Sequence, residues 1–377
     1  MPFLPTDVYI FSPNHRDWGN RVVREIAVLL EHNYSVQALM KTSSHENHNR
    51  FRIDVADNAR GVVGRIFRLL KIIVYATRHK ARLYHVHNPE MIPLALVLKL
   101  LGRKVIYDTH ENYALRLMLR DRVPQSLKAP LGKFISAIEV FTSKIVDATF
   151  VTQEGQLETF SSKTYLLRNA PYLSQRLLKS IKVERSKIVK TGAVFRLIYV
   201  GGLSRYRGIA NMLDSLMIIN QSHTTRLWLA GPDLDGCLDK AQKHQAWKYV
   251  DYLGVLSHGA ALAYMSEANL GLVVLSDIGD HASARPSKLF EYMAVGCPFI
   301  SSDFKLWREF IEPMEPGWWI QPDDSALLAG AVLKAVAAPG ELKSKAEQGR
   351  EFIAKFNWQN ESKVLLETYR KILGNRR

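Results

Sequence analysis

Phe195-Arg196-Leu197-Ile198-Tyr199-Val200 is a short apolar, β-branched run that leads directly into Gly201-Gly202. Its length and bounds read as a buried strand. Just before it lies a polar, lysine-rich stretch, Lys179 to Lys190, which reads as a linker. After it the same kind of run returns at Arg226 to Ala230, Tyr249 to Leu253, Leu270 to Val274 and Phe299 to Ser302, with helical periodicity between. An equivalent series precedes it: Asp7 to Ser12, Ser35 to Met40, Leu83 to His87, Lys104 to Asp108 and Ala148 to Thr152. Here the helical segments are Arg21 to Glu31, with Val22, Ile26, Leu29 and Leu30 on one side, and Ser126 to Asp147, entered through Pro124 and Pro130. Such alternation is the signature of parallel sheets covered by helices. The expected fold is therefore α/β, two Rossmann-like domains facing across a cleft. Residues 1–180 would form the first and 191–355 the second. Residues 356–377, with a helical stripe of Trp358, Val364, Leu365, Tyr369 and Ile372, would pack back on the first. Sheets of this kind bind ligands beyond the carboxyl ends of their strands, so the residues just after strands carry the functional interest.

Composition bounds the possibilities. With 377 residues, 47% hydrophobic and 23% charged, the chain has enough apolar side chain for two cores. Cys237 and Cys297 show neither CxxC spacing nor a companion histidine cluster, which points away from a disulfide framework or a zinc site and toward a reducing compartment. The start, Met1-Pro2-Phe3-Leu4-Pro5, lacks the basic and apolar regions of a secretory signal, and the best apolar stretch, Met91 to Leu101, is too short to span a bilayer. The net charge of +15 calls for an anionic partner, and it is uneven: Met1 to Ser180 carries 26 Lys and Arg against 15 Asp and Glu, net +11, leaving +4 for the rest. Ala59 to Leu83 concentrates it, with Arg65, Arg68 and Lys71 among seven cations, no acid, and apolar residues interleaved. That pattern suits a helix lying on anionic headgroups, and equally a solvated helix whose basic side chains lie along a sheet.

The densest chemical signal is Arg285-Pro286-Ser287-Lys288-Leu289-Phe290-Glu291-Tyr292-Met293-Ala294-Val295-Gly296-Cys297-Pro298. Pro286 suits a helix start, and Gly296 with Pro298 suits its end. Leu289, Tyr292 and Met293 form a packing face, while Ser287 and Glu291 share a polar one beside Lys288. Backbone N–H groups at the helix start, with the Lys288 ammonium, would hold a diphosphate, and Glu291 one turn on would accept ribose hydroxyls. An ordinary surface helix with a Lys and Glu pair three apart reads equally well from these residues alone.

The motif resembles the donor-binding helix of retaining GT-B glycosyltransferases, in particular the large family four that builds bacterial surface polysaccharides and glycolipids. Nearly the whole chain shares in the resemblance. Tyr199-Val200-Gly201-Gly202-Leu203 with Arg205, Arg207 and Gly208 resembles the family's glycine loop, Leu229-Ala230-Gly231-Pro232 its next strand end, and Tyr252-Leu253-Gly254 the segment against the nucleotide base. Trp18-Gly19-Asn20-Arg21-Val22 resembles the loop facing the diphosphate, Tyr107-Asp108-Thr109-His110-Glu111 the histidine-bearing strand end, and Arg168-Asn169-Ala170-Pro171 the domain exit.

The resemblance implies transfer of a sugar from a nucleotide diphosphate donor to a saccharide acceptor, lipid-linked in the expected pathway of cell-surface polysaccharide or glycolipid synthesis. Lys288 and Arg207 would stabilise the leaving diphosphate, with Arg205 replacing an arginine that relatives carry where this chain has Gly202. His110 would contact the donor sugar and, with Asp108 and Glu111 alongside, make up the catalytic set, Glu111 acting on an acceptor hydroxyl or simply orienting the loop. The donor set implied is Gly19, Gly202, Arg205, Arg207, Ser283, Ser287, Lys288, Leu289 and Glu291. One departure stands out: relatives carry a glutamate eight positions before the ribose-binding one, and here that position is Ser283, with Asp280 and His281 near it. Neither a metal nor another cofactor is expected, since Asp233-Leu234-Asp235 reads as turn chemistry. Asn88, after His87, reads more simply as a turn before Pro89 than as a site residue. The expected partners are the nucleotide-sugar donor, a lipid-linked or oligosaccharide acceptor and an anionic membrane surface, placing the protein in the cytoplasm, peripheral on the membrane's inner face. Two rival readings are a nucleotide-sugar epimerase on the same architecture and a nucleic-acid binder. The second lacks a recognition motif, so no nucleic-acid partner is expected.

Overall fold

The computed structural model describes residues 5–13, 21–41, 47–48, 50–56, 61–119, 123–189 and 194–374. The chain divides into two compact units, Met1–Asn169 with Trp358–Arg377, and Ala170–Asn357.

The first unit holds strands β1 (Thr6–Ser12), β2 (Val36–Met40), β3 (Asn47–His48), β4 (Phe51–Val55), β5 (Ala81–His87), β6 (Val105–Thr109), β7 (Ala148–Val151) and β8 (Thr164–Leu166). Its helices are α1 (Arg21–Glu31), α2 (Gly61–Arg78), α3 (Ile92–Leu100), α4 (Tyr113–Arg116) and α5 (Gln125–Ile145). The sheet order is β3-β4-β2-β1-β5-β6-β7-β8, parallel except for the β3–β4 pair. Continuous apolar runs such as Val8–Phe11 are buried because helices cover a parallel sheet. Pro130 lies inside α5 instead of at its entry, which Pro124 marks as N-cap.

The second unit holds β9 (Phe195–Val200), β10 (Thr225–Ala230), β11 (Val250–Tyr252), β12 (Leu270–Val273), β13 (Phe299–Ser302) and β14 (Gly317–Ile320). Its helices are α6 (Gln175–Arg185), α7 (Ile209–Ile219), α8 (Cys237–Gln242), α9 (His258–Glu267), α10 (Ser287–Val295), α11 (Lys305–Ile311), α12 (Ser325–Ala337) and α13 (Pro339–Lys355). The order β11-β10-β9-β12-β13-β14 is fully parallel and reverses between β9 and β12, the Rossmann arrangement. Apolar clusters fill both faces.

The boundary differs from the expected linker. Most of Lys179 to Lys190 is helical: Ser174 caps α6 by accepting from Leu177 N at 3.2 Å, and Leu177 and Ile181 pack into the second unit's core. Gly259 on α9 lets α6 approach so closely that a Cβ there would lie 2.1 Å from Ser180 Oγ. Lys179, Lys182 and Lys187 face solvent, which made a core-facing helix look like polar linker. The last helix, α14 (Trp358–Leu373), belongs to the first unit: Trp358 is fully buried, donating from Nε1 to Arg24 O at 3.0 Å, and the Tyr369 hydroxyl lies 2.6 Å from His85 Nδ1.

Candidate active site

In the second unit the strand ends at the switch point are glycine. Gly201 N donates to Ala230 O and Gly231 N to Gly254 O, at 2.9 and 2.8 Å, so the ends of β9, β10 and β11 abut. A Cβ on Gly231 would lie 1.6 Å from Gly201 O, and its φ of 144° is one that L side chains rarely adopt. Gly208, with φ 71°, starts α7 against the loop after β12, where a Cβ would lie 2.2 Å from Val274 O. The Arg207 guanidinium reaches back to Gly201 and the buried Tyr199 hydroxyl, which itself donates to Gly202 O at 3.0 Å. Arg205 takes a different course. Its side chain is over half exposed, lies against Asp235 and stacks on Tyr206, so Arg207 is the cation on the glycine loop and Arg205 does not replace an arginine at Gly202. The space a side chain at Gly202 would need is taken by Leu234. Asp233 accepts from four backbone N–H groups between Asp235 and Leu238, which is turn and cap chemistry.

After β12 the chain turns through Ser276–Arg285 into α10. His281 Nδ1 lies 2.9 Å from Ser276 O, and Ser283 donates from N and Oγ to Asp280 O, so this turn is held by its own backbone. Asp280 and His281 are buried, whereas Ser283 is partly exposed. Pro286 is the N-cap of α10, and Ser287 and Lys288 occupy its open first turn, where backbone N–H groups and the helix dipole favour an anion. Leu289 belongs elsewhere. Its side chain is buried in the core and its N–H bonds Pro286 O, so it anchors the helix instead of facing a donor. Lys288 Nζ lies 2.6 Å from Glu291 Oε2, and His258 Nε2 at the start of α9 lies 3.6 Å from Oε1. Burial raises the Glu291 carboxyl, yet Lys288 and His258 outweigh it and bring it down to about 2. This carboxylate is an anion throughout the physiological range, held between the Lys288 ammonium and the His258 imidazole. Nothing in the spacing of His258, thirty-three residues upstream, marks it as part of this cluster; only the packing of α9 against α10 does.

In the first unit a polar cluster lies at the ends of β5 and β6. His87 Nδ1 and His110 Nε2 are 2.9 Å apart with the rings stacked. Asp108 has no exposed surface. It accepts from Arg21 at 2.8 and 3.0 Å and lies 3.5 Å from His85, and the Arg21 charge with hydrogen bonding from His85 depresses its carboxyl against the effect of burial. It is thus an interior counter-charge and not a group that meets a substrate. Glu111, about a third exposed, forms an ion pair with Arg116. Arg21 also bonds Glu25, Leu167 O and Asn169. Asn88 ends β5 with φ 72°, a conformation that costs a non-glycine residue on the order of 1–3 kcal/mol, and its side chain accepts from the Tyr113 hydroxyl. That is more strain than a plain turn before Pro89 requires. Gly19, with its neighbours Trp18 and Asn20, lies outside the described residues.

The basic helix is α2, and it is not arranged as its composition suggested. Arg68 is only 7% exposed and pairs inward with Glu90 at 2.8 Å. Arg65 and Lys71 are exposed. The outward stripe is apolar: Val63, Ile66, Phe67, Leu70 and Val74 are all about half exposed or more, at helical spacing. No single described helix is long and apolar enough to cross a membrane.

Residues 180–352 match the model of the family described as Glycosyl transferases group 1. That span lies within the second unit. The match to the group 1 domain covers α10, the glycine loop and His258. Sucrose-phosphate synthase from Thermosynechococcus elongatus has a similar structure at 17% identity, TM-score 0.78, covering 97% of this chain and 99% of that one. So do WaaG, a glycosyltransferase involved in lipopolysaccharide biosynthesis, at 15% identity and TM-score 0.72 over 98% and 100%, and HepE of Anabaena, solved with UDP and glucose, at 14% and 0.71 over 97% and 100%. No curated protein sequence matches. The two Rossmann-like units thus have the GT-B fold, with the span matched by the group 1 model in the second. An epimerase is not favoured by these likenesses.

Proposed function

We propose that the protein transfers a sugar from a nucleotide diphosphate donor to a saccharide acceptor on a lipid carrier, in the synthesis of a cell-surface polysaccharide or glycolipid. What carries this reading is the open first turn of α10 in a group 1 domain, with Lys288, Glu291 and His258 drawn together there. Departure of the diphosphate develops negative charge, and fixed cations with helix-start N–H groups stabilise it without reorganising at the moment of reaction. Lys288 and Arg207 supply the charge, Ser287 the helix-start N–H, and Glu291 accepts ribose hydroxyls. With side-chain cations in this role, transfer proceeds without a metal. UDP is the donor nucleotide we favour, since HepE has been solved with UDP and with glucose. His110 contacts the donor sugar, with Ser283 where relatives use a glutamate. Retention at the anomeric carbon follows from the family resemblance. The apolar stripe of α2, flanked by Lys71, holds the first unit on the inner face of an anionic membrane, where a lipid-linked acceptor lies.

The test is incubation of the full chain with radiolabelled UDP-sugars and a lipid extract, with and without EDTA. Label appearing in the lipid phase in both arms supports the reading. Isomerised UDP-sugar without acceptor, or no affinity for any nucleotide diphosphate, refutes it.

A further inference from the structure

Beneath His110 the first unit buries more ionisable groups than sugar transfer uses. Glu25, His85, His87, Asp108 and Tyr369 have no exposed surface, and Arg21 only 3%. They converge from α1, β5, β6 and α14. His87 Nε2 lies 3.4 Å from Glu25 Oε2, while His87 Nδ1 meets His110 Nε2. His110 Nδ1 lies 3.9 Å from Asp108 Oδ1.

Counting charge among these described residues, two carboxylates stand against one guanidinium. A buried net charge costs several kcal/mol, so one more positive charge is needed. Glu25, His85, His87 and Asp108 offer four ligand atoms within 4.8 Å of one another, the set a divalent ion would use. Arg21 already bonds both carboxylates, however, and a divalent ion would turn the deficit into an excess of one. A single proton makes the cluster neutral. His85 is a poor place for it, since burial and the nearby Arg21 hold its imidazole below the ordinary value despite help from Asp108. Tyr369, bonded to His85 and pushed well up by burial, stays neutral. Burial and the Asp108 charge instead drive the Glu25 carboxyl well above the usual range, against the opposing pull of Arg21.

We propose that one proton is retained between Glu25 Oε2 and His87 Nε2, and that it fixes His110 as the tautomer protonated on Nδ1, with Nε2 as acceptor. If the proton is on the carboxyl, Glu25 donates to His87 Nε2 and neutral His87 carries its own hydrogen on Nδ1. If it is on the imidazole, His87 is a cation with hydrogen on both nitrogens. Either way His87 Nδ1–H donates to His110 Nε2. Release of that one proton to solvent leaves His87 protonated only on Nε2, facing an ionised Glu25. His110 must then donate from Nε2, and its bare nitrogen becomes Nδ1. Glu25 and His87 are positioning residues for His110. The inference rests on the sugar-transfer reading only for its catalytic meaning.

The test uses the full chain labelled with ¹⁵N-histidine, free of nucleotide and sugar, with His110 assigned by loss of its signals in His110→Gln. Long-range ¹H–¹⁵N spectra of the wild type are expected to show His110 protonated on Nδ1 at neutral pH and on Nε2 at alkaline pH. Glu25→Gln keeps the charge balance with a carboxamide that donates to His87, so it should hold the Nδ1–H form across the range in which it stays folded. A wild type already protonated on Nε2 at neutral pH would overturn the proposal without any variant. So would a Glu25→Gln protein that switches along with the wild type, or a stoichiometric divalent ion in the purified chain. Because no donor is present, sugar transfer can fail while this result stands, and the reverse.

Discussion

Replacing Phe67 and Leu70 on α2 by serine should release the protein from lipid, and the structure gives the size of the effect. The two side chains are 62% and 53% exposed. Fully burying such a side chain is worth about 1.5–3 kcal/mol, so inserting the exposed part of each recovers roughly 1–1.5 kcal/mol and the pair about 2–3 kcal/mol. At 1.4 kcal/mol per tenfold, partitioning should fall by about 30-fold to about 150-fold. The loss should appear on neutral and anionic vesicles alike, because it is apolar. Lys71 lies on the flank of the same stripe by helical geometry, and neutralising it should cost about 1 kcal/mol on anionic vesicles at low salt and nothing on neutral ones. Arg68→Gln should not alter partitioning, because Arg68 is turned inward to Glu90. Cosedimentation of the full chain with vesicles of phosphatidylcholine, with and without phosphatidylglycerol, reads all three. Wild-type partitioning of the Phe67 and Leu70 variant would refute the claim that this stripe meets lipid.

Lys288→Ala should weaken UDP-sugar binding by about 10-fold to about 150-fold, the worth of a charge-assisted hydrogen bond, while the melting temperature of the fold is retained; calorimetry with UDP-glucose decides it. Glu291, depressed in the folded state to about 2, contributes stability that is fully present above its unfolded value near 4.5 and is lost as pH falls through about 2. Urea unfolding followed from pH 5 to pH 2 should therefore show the wild type losing about 3 kcal/mol more than Glu291→Gln. Gly208→Ala places a Cβ 2.2 Å from Val274 O at φ 71°, and should lower the stability of the second unit by more than about 2 kcal/mol. An unchanged thermal unfolding curve would show that the two loops at the switch point do not touch as described.

Ten strands were legible because buried parallel strands are continuous apolar runs whose burial is forced by helices on both faces. The ones that escaped were β3, β4, β8 and β14. Phe51-Arg52-Ile53-Asp54-Val55 alternates polar with apolar, and Asp54 is stabilised by Tyr9 and Gln37 from neighbouring strands, partners that no local window reveals. The α10 motif announced its helix, its cap and its Lys288 and Glu291 pair, since three-residue spacing on a helix fixes proximity. His258 did not, because its place beside Glu291 comes from packing of α9 against α10.

The order of apolar runs and glycines alone settled an α/β chain of two Rossmann-like units, because the periodicity of burial is a local property. Tertiary structure decided which charges turn inward. Arg68 and Asp108 look like surface and catalytic groups in sequence, yet each is spent on a buried partner from another element. Whether a cation meets solvent, a ligand or a carboxylate depends on what folds over it, and that is set by contacts between segments far apart in the chain.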